Sequence, residues 1–329
     1  MNQKITADRQ RASKLLDANS GEVDGFFKLW PPDKNYFFSS DSKAFLAYDI
    51  SYKTAICMGD AVGAGKSLGL LLDEFTSFCR QRHLAMAFIQ TNTKHRQAYK
   101  LHGLKEILIG VDAVIDLKKF TSQTIKNKYF RNLVNRYEKQ HYEFASYRPP
   151  HSLQLISELK SVSDSWLTLP HRKEWAFLTG RFENDYLQQT TLHVLRDIQG
   201  RAQAFVNELP SYQPGSATID LMRHARGAPV NSMDLLFIRL LQSKYQEGYT
   251  HFNLGMSPLD GRPYAHTLGA KVLLLVYRLG DNFIGFKGLH KFKSKYATQW
   301  ELRYVWYLGR AWRLPQIGLA VEKLMRAPK

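Results

Sequence analysis

Residues 218–259 read TIDLMRHARGAPVNSMDLLFIRLLQSKYQEGYTHFNLGMSPL, and their hydrophobic period changes twice. An apolar run carrying Asp220, Arg223 and His224 predicts a strand. After a loop containing Gly227 and Pro229, apolar residues at helical spacing predict an amphipathic helix over 233–246, stopped by Gly248. A short buried strand over 251–254 then enters the run Asn253-Leu254-Gly255-Met256-Ser257-Pro258-Leu259. Strand, helix and strand in that order argue for an α/β fold.

Working outward, the rest of the chain supplies the same alternation. Residues 35–58 (NYFFSSDSKAFLAYDISYKTAICM) predict two or three strands with turns at 39–43 and 51–53. A glycine-rich loop at 59–66 leads into a helix over 68–83, a buried strand over 85–90, a short helix over 94–101 and a strand pair over 107–117. The second half predicts a helix over 152–159, strands at 191–196, 203–207 and 218–222, and then the helix and strand quoted above. A helix over 271–279, a strand over 303–307 and a closing helix over 314–325 follow. Two rounds of strands, helix, strand, helix, strand suggest a duplicated N-acetyltransferase-like (GNAT) unit. The expectation is two tandem α/β domains, 1–148 and 149–329, inferred from element order and not from residue identity between the halves.

Residues 118–148 join the two. Lys118, Lys119, Lys126, Lys128, Arg131, Arg136, Lys139 and Arg148 face only Glu138 and Glu143, and Phe130, Leu133, Val134 and Tyr137 recur at helical intervals. The pattern predicts one basic amphipathic helix running to Pro149-Pro150, either a solvated linker or a binding surface. Over all 329 residues, 46 Lys+Arg against 29 Asp+Glu leave a net charge of +17, which favours a polyanionic partner: tRNA, DNA or an anionic membrane surface. Cys57 and Cys79 stand alone, without metal or CxxC spacing, and are expected to be buried thiols in a reducing compartment. The first residues are polar, and the best apolar run, 272–277, is far too short to span a bilayer. The expectation is a cytoplasmic protein, peripheral on the inner face of the membrane at most.

Two familiar motifs fail. In 59–67 (GDAVGAGKS) the nucleotide-binding P-loop needs glycine where Asp60 stands, so a tight turn into a helix is the better reading. A CoA pyrophosphate turn has no clean match either, since 223–228 (RHARGA) does not lead directly into a helix. In 286–307 (FKGLHKFKSKYATQWELRYVWY), by contrast, Lys287, Lys291, Lys293 and Lys295 are interleaved with Phe292, Tyr296 and Trp300, followed by Glu301 and Arg303. Lysines among aromatics suit a single-stranded RNA end, with cations for phosphates and rings for stacked bases. They also suit an ordinary basic edge packed by its own rings.

Taken in order, four segments resemble the C-terminal catalytic domain (DUF2156-type) of the bacterial phosphatidylglycerol lysyl- and alanyltransferases, the aminoacyl-phosphatidylglycerol synthases. They are the Asp-Leu-Met-Arg strand at 220–223, the Met-Asp helix start at 233–234, Asn-Leu-Gly-Met-Ser-Pro-Leu at 253–259, and the Phe-Lys-x-Lys-Tyr…Trp-x-x-Arg-Tyr run at 292–304. In the first half Gly59-Asp60-x-Val62-Gly63, Phe88-x-Gln90 and Ala113-Val114-x-Asp116-Leu117 also fit, so the resemblance covers roughly 30–310. It implies two tandem GNAT-like units and transfer of an amino acid from aminoacyl-tRNA to a lipid hydroxyl. That reaction is an ester exchange needing neither cofactor nor metal. It further implies that Asp220, Arg223, Lys293 and Glu301 are catalytic, with Lys295, Arg303 and Trp300 at the tRNA end. His224 is added there on chemical grounds, as a proton relay. Family members usually carry an N-terminal membrane domain, which this sequence is expected to lack, so the acceptor is an anionic phospholipid, another hydroxylated lipid or a soluble hydroxyl. A CoA-dependent N-acyltransferase and a non-catalytic RNA- or membrane-binding module remain the alternatives.

Overall fold

The computed structural model describes residues 2–19, 21–258 and 286–326; the helix expected over 271–279 and the end of the 253–259 motif, Leu259, lie outside them. Eleven strands form one sheet: β1 (Asn35–Phe38), β2 (Phe45–Ser51), β3 (Thr54–Met58), β4 (Ala85–Thr91), β5 (Leu104–Asp116), β6 (Glu143–Tyr147), β7 (Thr191–Arg196), β8 (Ala202–Leu209), β9 (Ser216–His224), β10 (His251–Pro258) and β11 (Gln299–Leu308). Their spatial order is β1-β2-β3-β4-β11-β5-β10-β9-β8-β7-β6. Among the described residues only β3 with β4 and β9 with β10 run parallel. Each parallel pair follows from the helix that links it, α2 (Gly65–Gln81) and α8 (Ser232–Gln246), because a crossover helix is what returns the chain in the same direction. Strands β5 and β11 cross over at the centre. The first-half strand β5 pairs with β10 of the second half, and β11 pairs with β4 of the first.

One face of the sheet carries a single apolar layer along both halves. Ile56, Ile89, Val305, Ile107, Leu221 and Phe205 meet α6 (Leu153–Leu167), the closing helix α10 (Leu314–Met325) and the segment 177–187 there. The opposite face is split. Helix α2 and α3 (Arg96–Leu101) cover the first half through Leu71, Leu72, Phe75 and Tyr99. Helix α8 covers the second half together with α4 (Leu117–Ser122), α5 (Lys128–Lys139) and α9 (Phe286–Lys293), the last packing Phe292. The N-terminal α1 (Asn2–Ala18) and the short α7 (Asn184–Leu187) complete the helices of the described residues.

The structure corrects three element expectations. Residues 118–148 are not one helix. The Asn127 side chain accepts from the Phe130 N–H at 2.9 Å and caps a fresh start for α5. His141 then turns the chain at φ 54°, and Glu143–Tyr147 becomes the edge strand β6. The helical apolar period ends at Tyr137, and beyond it the sequence alternates as a strand does. The expected pair over 107–117 is one strand, β5, bulged where Arg303 pairs Gly110 and Tyr304 pairs Leu108, leaving Ile109 extra. The stretch over 286–307 divides between α9, which carries Lys287, Lys291 and Lys293 with Lys295 just past its end, and β11, which carries Trp300, Glu301 and Arg303.

Candidate functional site

Parallel strands β9 and β10 stay paired only from Ser216 with His251 to Thr218 with Asn253, while β9 runs on to His224 and β10 to Pro258. The strands part there and open a mouth on the sheet. Asp220 lies just inside it. Normally residues three apart in a strand face opposite sides, so Asp220 and Arg223 would be separated. A bulge prevents this: Val206 pairs Met222 and Glu208 pairs Ile219, which leaves Asp220 and Leu221 opposite Asn207 alone. Asn207 pins the extra residue by accepting from the Leu221 N–H at 2.7 Å. Asp220 and Arg223 therefore reach the same face.

Asp220 accepts from the Tyr186 hydroxyl at 2.7 Å and the Gly180 N–H at 2.9 Å. Burial pushes its pKa up to about 6, against the opposing pull of those two donors and of Arg223. Arg223 is buried and donates in bidentate fashion to Glu174, at 2.7 and 2.6 Å, and also to Ser163. Its guanidinium lies 4.9 Å from the centre of the Trp166 ring. A pair of this kind is held rigidly, which suits a positioning role better than a mobile contact.

Lys293 enters from α9 on the β10 side of the mouth. Strand β10 is bulged at Leu254–Gly255, with Gly255 at φ 76°, and the Asn253 side chain accepts from the Gly255 N–H at 2.6 Å. The turned-out carbonyls of Gly255 and Met256 each accept from Lys293 Nζ at 2.9 Å. Burial lowers the lysine pKa to about 8, with Asp112 acting in the opposite direction. Asp112 also accepts from Asn253 at 2.9 Å and from Arg303. Arg303 reaches Asp24 at 3.2 Å and the Gln90 carbonyl at 3.1 Å. Burial alone would lower the Arg303 pKa, but Asp24 and Asp112 outweigh it and hold the guanidinium above its ordinary value. Glu301 is exposed and is the cross-strand partner of Asp112, which sets it on the same face as Asp112 and Arg303.

The remaining expected residues lie elsewhere. Lys295 is drawn to Asp234 on α8, which also accepts from Tyr129 at 2.7 Å and from Tyr296. Trp300, opposite Ala113 in the α8-covered layer, stacks on His290 with ring centres 4.7 Å apart. His224, next after Arg223 on β9, turns to the other face, where Nδ1 lies 3.0 Å from the Ala225 carbonyl. The structure thus forms two groups, Asp220 with Arg223 on β9, and Lys293 with Asp112, Arg303 and the cross-strand Glu301 about β10, β5 and β11. Lys295 is held by Asp234, Trp300 by His290, and His224 lies on the face opposite Arg223.

Sequence reasoning missed Tyr186, Glu174, Asp112 and Asn253 as members of this arrangement. Asp112 had a signal, a lone charge inside the apolar run of β5. Tyr186 and Glu174 had none, since their segment shows no period and reaches the mouth only through tertiary packing. Asp60 entered the sequence reading as the residue that spoils a P-loop and as part of the Gly59-Asp60-x-Val62-Gly63 match, with no chemical role. It is buried, accepts from Tyr99 at 3.0 Å and from the Asn92 N–H at 2.8 Å, and burial together with Glu22 raises its pKa to about 7. Among the described residues no helix is long and apolar enough to cross a membrane.

Comparison with known proteins places the chain in a family. A phosphatidylglycerol lysyltransferase of Bacillus subtilis (strain 168) is 32% identical over 303 residues, which make up 92% of this chain and 35% of that protein. One from Staphylococcus aureus (strain MRSA252) is 28% identical over 306 residues, 92% of this chain and 36% of that protein. The chain therefore spans about a third of the length of these curated relatives. Among solved structures, L-PGS from Bacillus licheniformis superposes with a TM-score of 0.85 at 32% identity, covering 96% of each chain. The C-terminal domain (DUF2156) of a putative lysylphosphatidylglycerol synthetase from Agrobacterium fabrum gives 0.83 at 28% identity, covering 98% of this chain and 97% of that one. FemX, at 10% identity and a TM-score of 0.61, shares the fold. With the family model for the phosphatidylglycerol lysyltransferase C-terminal region matching residues 13–307, the chain belongs to that family.

Proposed function

We propose that this chain transfers an amino acid from aminoacyl-tRNA to a hydroxyl of a membrane lipid such as phosphatidylglycerol. The second unit, 149–329, holds the aminoacyl end and the first, 1–148, faces the lipid; their boundary is crossed by the exchanged strands β5 and β11. The observation that carries the reading is Lys293. Two of its three N–H groups are spent on the Gly255 and Met256 carbonyls and, among the described residues, the third is left to meet developing negative charge. An ester exchange requires such a donor. The lipid hydroxyl oxygen bonds to the ester carbon, its proton passes to the departing ribose oxygen, and the carbonyl oxygen carries charge in between.

Asp220 suits the proton or ammonium role. Its carboxylate is desolvated and held in place by Tyr186, and a pKa near neutrality lets it exchange a proton at working pH. Arg223, locked to Glu174, positions the strand segment on which Asp220 rides. Glu301, exposed on the same face as Arg303, offers a carboxylate for the substrate's α-ammonium. The test is transfer of radiolabelled amino acids from a total charged-tRNA pool into extractable lipid, with and without RNase. RNase-sensitive labelled lipid is the expected result. Absence of labelled lipid under every charging mixture, together with tight acetyl-CoA binding, overturns the reading in favour of a CoA-dependent N-acyltransferase.

A further inference from the structure

The structure assigns the outward surface of α4 and α5, with α9 beside it, as the docking face for the phosphate backbone of an RNA. The inference rests on the tRNA-dependent reading above and adds where that partner sits. Along 118–139 the side chains of Lys118, Lys119, Lys126, Lys128, Arg131 and Lys139 all stand exposed. One acid, Glu138, lies among them, and it is drawn to Arg239 at 2.7 Å. The same helices turn Phe120, Phe130, Leu133 and Tyr137 inward against α8. These cations are therefore held in fixed rows on a packed second-half scaffold, not on a loose linker.

The surface is wet and hydrogen-bonding. Gln123, Asn132 and Asn135 are exposed between the cations, which suits phosphate and sugar oxygens. A bilayer would instead ask for exposed Trp, Phe or Leu to insert. The one large ring exposed here is Tyr129, and its hydroxyl is tied to Asp234. Exposed Trp312 and Leu319 belong to the C-terminal region and not to this face. Charge and chemistry together favour RNA over lipid.

Helix α9 connects this face to the mouth. Lys295, just past its end, lies over the Tyr129 ring at 5.5 Å and shares Asp234 with it, while Lys293, two residues earlier, reaches Gly255 and Met256. A strand end passing along Lys295 from the cationic rows arrives next to the buried lysine. Trp300, half-exposed on its His290 stack, offers a ring on the same side of the sheet.

The experiment measures binding of total uncharged tRNA to the purified chain from about 50 to 300 mM salt. It compares wild type with the triple variant Lys126→Gln/Lys128→Gln/Arg131→Gln. A control triple of equal charge, Lys53→Gln/Arg80→Gln/Arg82→Gln, lies on the first half; vesicles of phosphatidylglycerol are titrated in parallel, and thermal melting checks folding. The α5 triple is expected to weaken tRNA binding about tenfold and to flatten the salt slope by about 2 to 3, with the control near wild type. Equal losses in both triples, a loss confined to vesicle binding, or no tRNA binding by wild type at the lowest salt overturns the assignment. Charged-tRNA transfer is assayed alongside. Docking retained without transfer overturns the proposed reaction and leaves the surface standing, whereas transfer retained with docking indifferent to the α5 triple does the reverse.

Discussion

The two places where parallel strands part are built alike and filled differently. The last parallel pairs are Met58 with Ile89 and Thr218 with Asn253, and two residues beyond each stands an aspartate, the buried Asp60 or the half-buried Asp220. Each accepts from a tyrosine hydroxyl and a backbone N–H, and burial raises each pKa, to about 7 and about 6. Each neighbouring strand is bulged at a left-handed residue, Gln90 at φ 59° or Gly255 at φ 76°, whose carbonyl accepts from a buried cation. The difference is in those cations. Arg303, brought beside the first mouth by β11, is neutralised by Asp112 and Asp24. Among the described residues, Lys293 in the second is met by carbonyl oxygens and pairs with no carboxylate. Similar frames thus surround both mouths, but among the described residues the cation of the first has carboxylate partners and that of the second has carbonyl partners.

The largest expected effect breaks the comparison at that cation. Lys293→Ala should lower lipid-directed transfer by about 100-fold or more, the usual loss for an oxyanion donor, while vesicle binding changes little. Equal losses in both assays would remove the role assigned to it. Next comes the anchoring of Arg223. Glu174→Ala leaves that guanidinium buried and unpaired, and should cost about 3 kcal/mol by chemical denaturation; a change under about 1 kcal/mol would show that Arg223 finds solvent.

The two aspartates should separate function from stability. Asp220→Asn is expected to reduce transfer at least about tenfold, in the range for a group that relays protons, whereas Asp60→Asn should retain most of it. For stability they should act together. Both folded pKa values lie above the ordinary aspartate value of 3.8, so the folded state holds the extra protons between about pH 4 and 7, and stability falls as pH rises through that window. Melting temperature followed from pH 4.5 to 8 should fall less steeply in either Asn variant than in wild type. An unchanged slope in both would assign the dependence to other groups.

Lys293 makes a second prediction through its pKa of about 8. As an oxyanion donor it must be protonated, so the transfer rate should fall as pH rises through about 8. A rate that climbs through the same range would instead mark it as a base. The smallest effect concerns the bulges. Gly255→Ala places a side chain at φ 76° in ordinary contact with Lys293 Nζ at 3.8 Å, so backbone strain should dominate and cost about 1 kcal/mol, and Gln90→Gly should relieve strain of the same kind.

Local pattern made much of the fold legible. Helices 233–246 and 314–325 and strands 191–196 and 251–254 are where their apolar periods predict, because burial on one face imposes a period of 3.6 or 2. Of the candidate site, Asp220, Arg223 and Lys293 were legible through the family pattern. Their partners were not. Glu174 comes from an irregular stretch and Tyr186 from the one-turn helix α7, and their placement depends on how 174–187 lies against the sheet.

By itself the sequence determined the element order, the basic surplus and the resemblance, since each is a property of neighbouring residues or of composition. The tertiary structure decided what needs distant segments. It inserts β11 between β4 and β5, seats the basic helices 117–139 on the second half, and shifts Asp220 onto the face of Arg223. One extra residue in a strand reverses every side chain beyond it. Such a residue shows only in the register between strands, which a single chain read end to end does not contain.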